Sequence, residues 1–265
     1  MIAPSERIGA AIQAAVAKGY PALVGYLTAG FPNRRQFKQN LATVVGGCDV
    51  VEIGVPFSDP MADGTTIQRA SFAALADGVT LPWILEELKS IEPHPRVPIL
   101  LMSYLNPLLA FGLQQLPRAA ALAGVAGFIV PDLPFEESGD LHQALEAEGL
   151  ALVQMVTPVT PPERLAMLCR EAKGFVYAVT MTGTTGKSAD GKFADVPLEV
   201  LEYMDRVKRL SNVPVCAGFG IRSGRQVARF AAHVDGVVVG SALVEALEKG
   251  EDVSAFLKSL RQGAA

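Results

Sequence analysis

The sequence predicts an α/β protein built as one domain over residues 1–265, a single (β/α)8 TIM barrel with an extra N-terminal helix. Three observations predict it. Short β-branched apolar runs alternate with longer Ala/Leu/Glu-rich segments, which is the rhythm of βα units. The runs are almost continuously apolar, as parallel strands covered on both faces are. No shift of composition interrupts the series, and 265 residues is a common length for such a barrel in one domain.

Met1–Lys18 reads as an amphipathic helix ahead of the first strand, with no small-residue cleavage site behind a long apolar core, so it is not a secretory signal. Eight strand candidates follow: Ala22–Thr28, Asp49–Gly54, Val97–Ser103, Gly127–Val130, Ala151–Thr157, Gly174–Thr180, Val213–Ala217 and Val234–Val239. Helical patterns lie between and after them at Gln36–Val45, Thr66–Ala76, Leu81–Ile91, Leu113–Ala123, Glu136–Glu148, Pro161–Ala172, Leu198–Leu210, Gly224–Ala231, Ala242–Lys249 and Val253–Gln262. Thr80 and Asp252 stand where an N-cap oxygen can accept a free first-turn N–H, and Pro82 fits a first turn. Gly19, Gly78, Gly149 and Gly250 stand where a left-handed residue ends a helix. The competing architecture is an open doubly wound sheet. Its usual mark, G-x-G-x-x-G after the first strand, is not what Thr28–Pro32 spells.

Composition narrows the function classes. Half of the residues are hydrophobic and 19% are charged, the profile of a packed globular chain. The net charge of −4 offers no phosphate-neutralising surface and argues against nucleic-acid binding. No apolar run reaches the roughly 18 residues of a membrane span. Cys48, Cys169 and Cys216 form no C-x-x-C pair, so neither a disulfide framework nor a zinc site is expected. A reducing cytoplasm fits them best, and the plastid stroma stays open for a processed chain.

Barrels carry their chemistry at the C-terminal ends of the strands. Strand alternation there puts Val50, Glu52 and Gly54 on one face and Val51, Ile53 and Val55 on the other. The second set suits the helix layer, so Glu52 points into the barrel mouth. Desolvation raises the pKa of such a carboxyl and suits it to acid/base work; the bland alternative is a structural carboxylate paired with Lys or Arg. The following loop, Pro56–Thr65, carries Asp59 and Asp63 on a proline-stiffened backbone. Asp63 before Gly64 is either a site carboxylate or a turn former, and Asp59 suits a turn or a partner surface. Glycine clusters follow the last three strands: Gly183–Gly186, Gly218–Ser223 and Gly240–Ser241. Glycines let backbone N–H groups approach an anion, and barrels often bind phosphate after strands seven and eight.

The long stretch Met181–Val196 suits a lid, with Lys187 and Lys192 read as solvated. A Glu and an Asp in one pocket also suit a glycosidase, but Trp83 is the only Trp and falls in a helix, where it packs. His94, His142 and His233 join no nucleophile or metal motif. The residues thus point to proton transfer on a phosphorylated small molecule, with no metal or redox signature.

The run Val51–Gly64, Val-Glu-Ile-Gly-Val-Pro-Phe-Ser-Asp-Pro-Met-Ala-Asp-Gly, resembles the signature of the tryptophan synthase α subunit family at fourteen successive positions. Tyr26–Pro32, Met102–Pro107, Val130–Glu137, Gly218–Ile221 and Val239–Ala242 resemble further blocks in the family's order, so the likeness spans essentially the whole chain. The resemblance implies a barrel that cleaves indole-3-glycerol phosphate to indole and glyceraldehyde 3-phosphate. It implies that Glu52 is the general acid/base and that Asp63 stabilises positive charge at the indole N–H. It makes Tyr177 an active-site tyrosine, for which core packing is the alternative. Gly186, Gly218, Phe219, Gly220, Gly240 and Ser241 match the phosphate site, and Thr185 matches a lid threonine that meets the Asp63 position on closure. Tyr104 and Asn106 match positions near the pocket and partner surface, Asp59 and Pro60 become interface candidates, and Phe57, Leu105 and Ile67 are candidates for the indole wall or nearby packing.

The same resemblance implies an α2β2 complex in which indole passes through a tunnel to a β subunit. That partner carries pyridoxal phosphate, and this chain carries no cofactor and no metal. A stand-alone lyase, or a non-catalytic subunit that activates β allosterically, are the alternatives; another phosphate-binding barrel would lack the second-loop signature. Two departures stand out. Thr65 follows Asp63-Gly64 where the family commonly has Pro, and is expected to loosen that loop. Thr180 stands where the family has Ser, with Met181-Thr182 in place of a variable pair, so lid closure is expected to differ.

Overall fold

The computed structural model describes residues 2–180, 196–218 and 220–262. Nine parallel strand segments form one sheet: β1 (Ala22–Thr28), β2 (Val50–Gly54), β3 (Ile99–Met102), β4 (Val125–Ile129), β5 (Ala151–Leu152), β6 (Gln154–Val156), β7 (Val176–Val179), β8 (Val215–Gly218) and β9 (Gly236–Val239). Their order is β5-β4-β3-β2-β1-β9-β8-β7-β6. The two ends, β5 and β6, are halves of one stave interrupted at Val153; the first half pairs with β4 and the second with β7. Nine segments thus make eight staves and the sheet closes into a barrel, one stave for each run read from the sequence.

The apolar side chains sort into two layers by alternation. Val51, Ile53 and Val55 pack with the helices, whereas Val50 faces inward beside Val24, Leu100 and Ala126. Helix α1 (Pro4–Val16) places Ile8, Ile12 and Ala15 in that inner cluster, each at most 1% exposed. The extra helix therefore stoppers the N-terminal mouth of the barrel and leaves the C-terminal mouth for a site. Each of the two isoleucines contributes on the order of 2 kcal/mol by leaving water.

The outer helices are α2 (Phe37–Gly47), α3 (Thr65–Ala76), α4 (Leu81–Lys89), α5 (Leu105–Phe111), α6 (Leu116–Leu122), α7 (Gly139–Ala147), α8 (Pro162–Glu171), α9 (Leu198–Leu210), α10 (Gly224–Phe230), α11 (Ser241–Lys249) and α12 (Val253–Gln262). The expected caps are in place: Thr80 accepts from the Trp83 N–H at 3.4 Å, and Asp252 from the Ala255 N–H at 2.9 Å. All four C-terminal glycines have positive φ, between 66° and 90°. Trp83 packs against Phe37 and under Arg34, as its helical position suggested.

One helix corrects the reading. The expected helix Leu113–Ala123 begins only at Leu116, and α5 precedes it, ended by Gly112 at φ 101°. The sequence pattern places no helix between Ser103 and Leu113. Proline is nevertheless tolerated in a first turn, where its missing N–H has no helical acceptor to lose. The segment Glu136–Glu148 likewise divides into a 3-10 turn, Phe135–Glu137, and α7.

Candidate active site at the open barrel mouth

Glu52 lies in register with Tyr26 of β1 and Leu100 of β3. Its side chain is fully buried, and among the described residues neither carboxyl oxygen has a hydrogen-bond partner. A structural carboxylate would be paired with a cation in such a place, because an isolated buried charge is costly. Glu52 instead relieves the cost by holding its proton: burial pushes its pKa up to about 8.

Two glycines shape the space around it. A Cβ at Gly54 would collide with the Tyr26 hydroxyl, and a Cβ at Gly218 with the Tyr177 ring. Each tyrosine therefore lies across the neighbouring strand at a position where that strand carries no side chain. The Tyr26 hydroxyl sits 3.4 Å from the Thr28 hydroxyl. Burial, with Asp63 and Glu52 nearby, raises the Tyr26 pKa, and burial first, then Glu52, raises that of Tyr177; both remain neutral phenols.

Asp63 is held from three sides. The Tyr104 hydroxyl donates to Asp63 Oδ2 at 3.1 Å and accepts from the Ala62 N–H at 2.8 Å. The Gln68 amide donates to the Asp63 carbonyl at 2.8 Å, and the Asp63 N–H donates to the Pro60 carbonyl at 3.2 Å. Phe57 stacks on Tyr104 with ring centroids 5.1 Å apart. Burial raises the Asp63 pKa to about 6, against the lowering effect of the Tyr104 hydrogen bond. Near pH 7 the two carboxyls thus differ: Asp63 is ionised and Glu52 is neutral. A pair whose environments set such different pKa values suits an acid beside a charge-stabilising anion.

Glu52, Asp63, Tyr26, Tyr177 and Met102 line a cavity of about 380 Å³. Gly220, Gly240 and Ser241 line the same cavity, Ser241 opening α11. First-turn N–H groups have no intrahelical acceptor and carry partial positive charge, so this wall suits an anion. Ile67 also lines the cavity.

The other expected residues fall elsewhere. Phe57 and Tyr104 stand behind Asp63 rather than against the cavity, and Gly218 lies beneath Tyr177. Leu105 packs against the helix-layer core. Asp59 and Asn106 are exposed and Pro60 is buried. Thr185, Gly186, Phe219 and the lid stretch from Met181 to Asp195 lie outside the described residues. Thr65 is the first residue of α3. Pro and Thr are both accommodated there, and the expected loosening has no counterpart in the hydrogen bonds of the loop. Thr180 is buried, with its N–H on the Gly218 carbonyl at 3.0 Å.

Sequence reasoning gave no role to Tyr26, Gln68, Arg222 or Glu245. Period-two alternation along β1 could have placed Tyr26 inward. Nothing local could have paired Arg222 with Glu245, which meet between neighbouring βα units 23 residues apart.

Tyr104→Phe tests the support of Asp63. Losing the hydroxyl that favours the carboxylate is expected to move the acid limb of kcat/KM to higher pH, with about 1 kcal/mol of stability lost as the Ala62 N–H loses its acceptor. A pH profile of the variant identical to that of the parent would show that the hydrogen bond does not tune Asp63.

Among the described residues no group of His, Cys, Asp and Glu is arranged to hold a metal ion, and no helix is long and apolar enough to cross a membrane.

A family model described as "Tryptophan synthase alpha chain" matches residues 12–263. A tryptophan synthase alpha chain of Solidesulfovibrio magneticus is 45% identical over 251 residues, 94% of this chain and 96% of that one. One from Bacillus cereus is 41% identical over 254 residues, 95% of this chain and 96% of that one. Among solved structures, a chain of tryptophan synthase from M. tuberculosis in an aminoacrylate-bound form superposes with a TM-score of 0.85 at 35% identity, covering 98% of this chain and 99% of that one. The tryptophan synthase subunit alpha of Legionella pneumophila gives 0.86 at 31% identity, covering 97% and 98%.

Proposed function

The chain belongs to the tryptophan synthase alpha chain family, hence to the enzymes of tryptophan biosynthesis, and from that premise we propose that it cleaves indole-3-glycerol phosphate to indole and glyceraldehyde 3-phosphate. The observation that carries the reading is one cavity holding a neutral, unpartnered Glu52 and an ionised Asp63 beside an anion-binding wall.

The chemistry follows from those states. Neutral Glu52 gives its proton to indole C3, which leaves a cation delocalised onto the ring nitrogen. Asp63, as a carboxylate, accepts the indole N–H and lowers the energy of that cation in a site shielded from water. The glycerol hydroxyl next to the ring then loses its proton to the Glu52 carboxylate. Its electron pair forms the aldehyde carbonyl while the bond to C3 breaks and returns its pair to the ring. Glu52 ends protonated, as it began. The step is redox-neutral and balances with proton transfers alone, so we assign no cofactor to this chain. Gly220, Gly240 and Ser241, with Gly186 and Phe219 of the family pattern, would hold the phosphate, and Thr185 would close on Asp63. Tyr177 would pack against the indole.

We also propose an α2β2 assembly in which a β subunit carries pyridoxal phosphate and receives the indole. The second loop supports it: Met61 is 92% exposed and apolar beside Asp59, a surface that suits burial against a partner. Bacterial relatives and three buried free cysteines support a cytoplasmic setting.

The test is indole release from indole-3-glycerol phosphate with and without a β subunit. Slow release alone and a large rise with β is the expected result. Fast release alone would make the chain a stand-alone lyase. Ligand binding without release in either condition would make it a non-catalytic allosteric subunit.

A further inference from the structure

Arg222 and Glu245 form an ion pair at the phosphate end of the cavity, with side chains 18% and 22% exposed. Both line the cavity that holds Glu52 and Asp63. Arg222 follows Gly220 by two residues in the loop after β8. Glu245 follows Ser241 by four residues in α11, and residues at that spacing share one helix face about 6 Å apart along the axis. Glu245, and with it the guanidinium it holds, thus belongs to the turn of α11 that follows the helix's opening N–H groups. The second Glu245 oxygen accepts from the Thr66 hydroxyl at 3.1 Å, so the carboxylate is fixed from two elements.

We propose that Arg222 is a phosphate-recognition residue of this enzyme and that Glu245 is the positioning residue that holds it at the cradle. The inference rests on the phosphate-ended substrate proposed above and deepens it. Backbone N–H groups alone offer a phosphate dianion partial charges. A guanidinium adds charged, directional donors; the hydrogen bond to Glu245 uses one of its nitrogens, and the pair brings no net negative charge into the wall. Glu245 by itself would repel the dianion, so its presence in this wall is consistent with phosphate binding only while Arg222 neutralises it. Thr66 sits three residues after Asp63, so the same clasp ties the phosphate wall to the start of α3 and the loop that carries Asp63.

The experiment compares the full chain with Arg222→Gln, Arg222→Lys and the double variant Arg222→Gln/Glu245→Gln. It reads KM and kcat for indole-3-glycerol phosphate in the presence of the β subunit, and the binding of inorganic phosphate by calorimetry. Losing one charged hydrogen-bond partner is expected to raise KM and the phosphate Kd about tenfold or more, with kcat within about threefold. Arg222→Lys should recover part of the loss. The double variant should bind phosphate more tightly than Arg222→Gln, because the unneutralised Glu245 charge is gone. Circular dichroism checks that each variant folds, and Arg222→Lys carries the test if Arg222→Gln does not. KM and phosphate Kd within twofold of the parent in Arg222→Gln would overturn the inference, as would a loss confined to kcat, or a parent that binds no phosphate. A parent that binds phosphate but cleaves no substrate would overturn the proposed reaction and leave the calorimetric comparison to decide Arg222.

Discussion

Glu52→Gln is expected to lower kcat for indole formation by about 10²–10⁴-fold with little change in KM, the usual span for loss of a general acid/base. Gln fills the same space but has no proton of suitable acidity for C3 and no basic oxygen for the glycerol hydroxyl. The pH dependence carries the same signature. Glu52 must start protonated, so kcat/KM in the parent should fall as pH rises through about 8, and that alkaline limb should vanish from the residual activity of the variant. Unchanged indole release from Glu52→Gln would remove the acid/base assignment.

The stability effect of the same substitution has the opposite sign to its effect on activity. The folded-state pKa of Glu52 lies above its ordinary carboxylate value, so between roughly pH 4.5 and 8 the unfolded chain binds fewer protons than the folded one. Folding stability contributed by this group is full below that window and declines as pH rises through it. Glu52→Gln removes the decline. The variant should be more stable than the parent at pH 8 by a few kcal/mol, because the parent must bury either a charge or a proton held against solution. Equal denaturant midpoints at pH 8 would mean that Glu52 is not desolvated as its burial implies.

Asp63→Asn is the second large effect. Removing a charge aimed at the developing indole cation is expected to cost about 10²–10³ in kcat. The amide still reaches the Tyr104 hydroxyl, so the loop should keep its shape and the loss should be electrostatic. In the parent, kcat/KM rises as Asp63 ionises through about pH 6, and the variant should lack that acid limb while keeping the alkaline one. The parent is thereby expected to show a bell-shaped profile whose two limbs are separately removable. Retention of the acid limb in Asp63→Asn would assign it to another group.

Much of this site was legible in advance because strand alternation is rigid. Once Val51, Ile53 and Val55 were committed to the helix layer, Glu52 had to face the barrel interior, and its burial follows from that geometry alone. Gly240 and Ser241 were legible for a similar reason, since a strand that ends in glycine before a helix presents free N–H groups to whatever lies at the mouth. The helix α5 was not legible, because Asn106-Pro107 serves a turn and a helix first turn equally well.

What the residues determined by themselves is the set of eight staves, the inward direction of Glu52 and the position of two carboxylates and a glycine-rich wall at one end of a barrel. Periodicity and local caps are enough for that, because each depends on neighbours a few positions away. Tertiary structure alone decided the charge states and the supports. Among the described residues no group hydrogen-bonds the Glu52 carboxyl, Tyr104 arrives from the loop after β3 to hold down the pKa that burial raises in Asp63, and Arg222 meets Glu245 of the neighbouring βα unit. These are contacts between segments far apart in the chain, and the free energy of a buried charge depends on everything that packs around it, which no local pattern encodes.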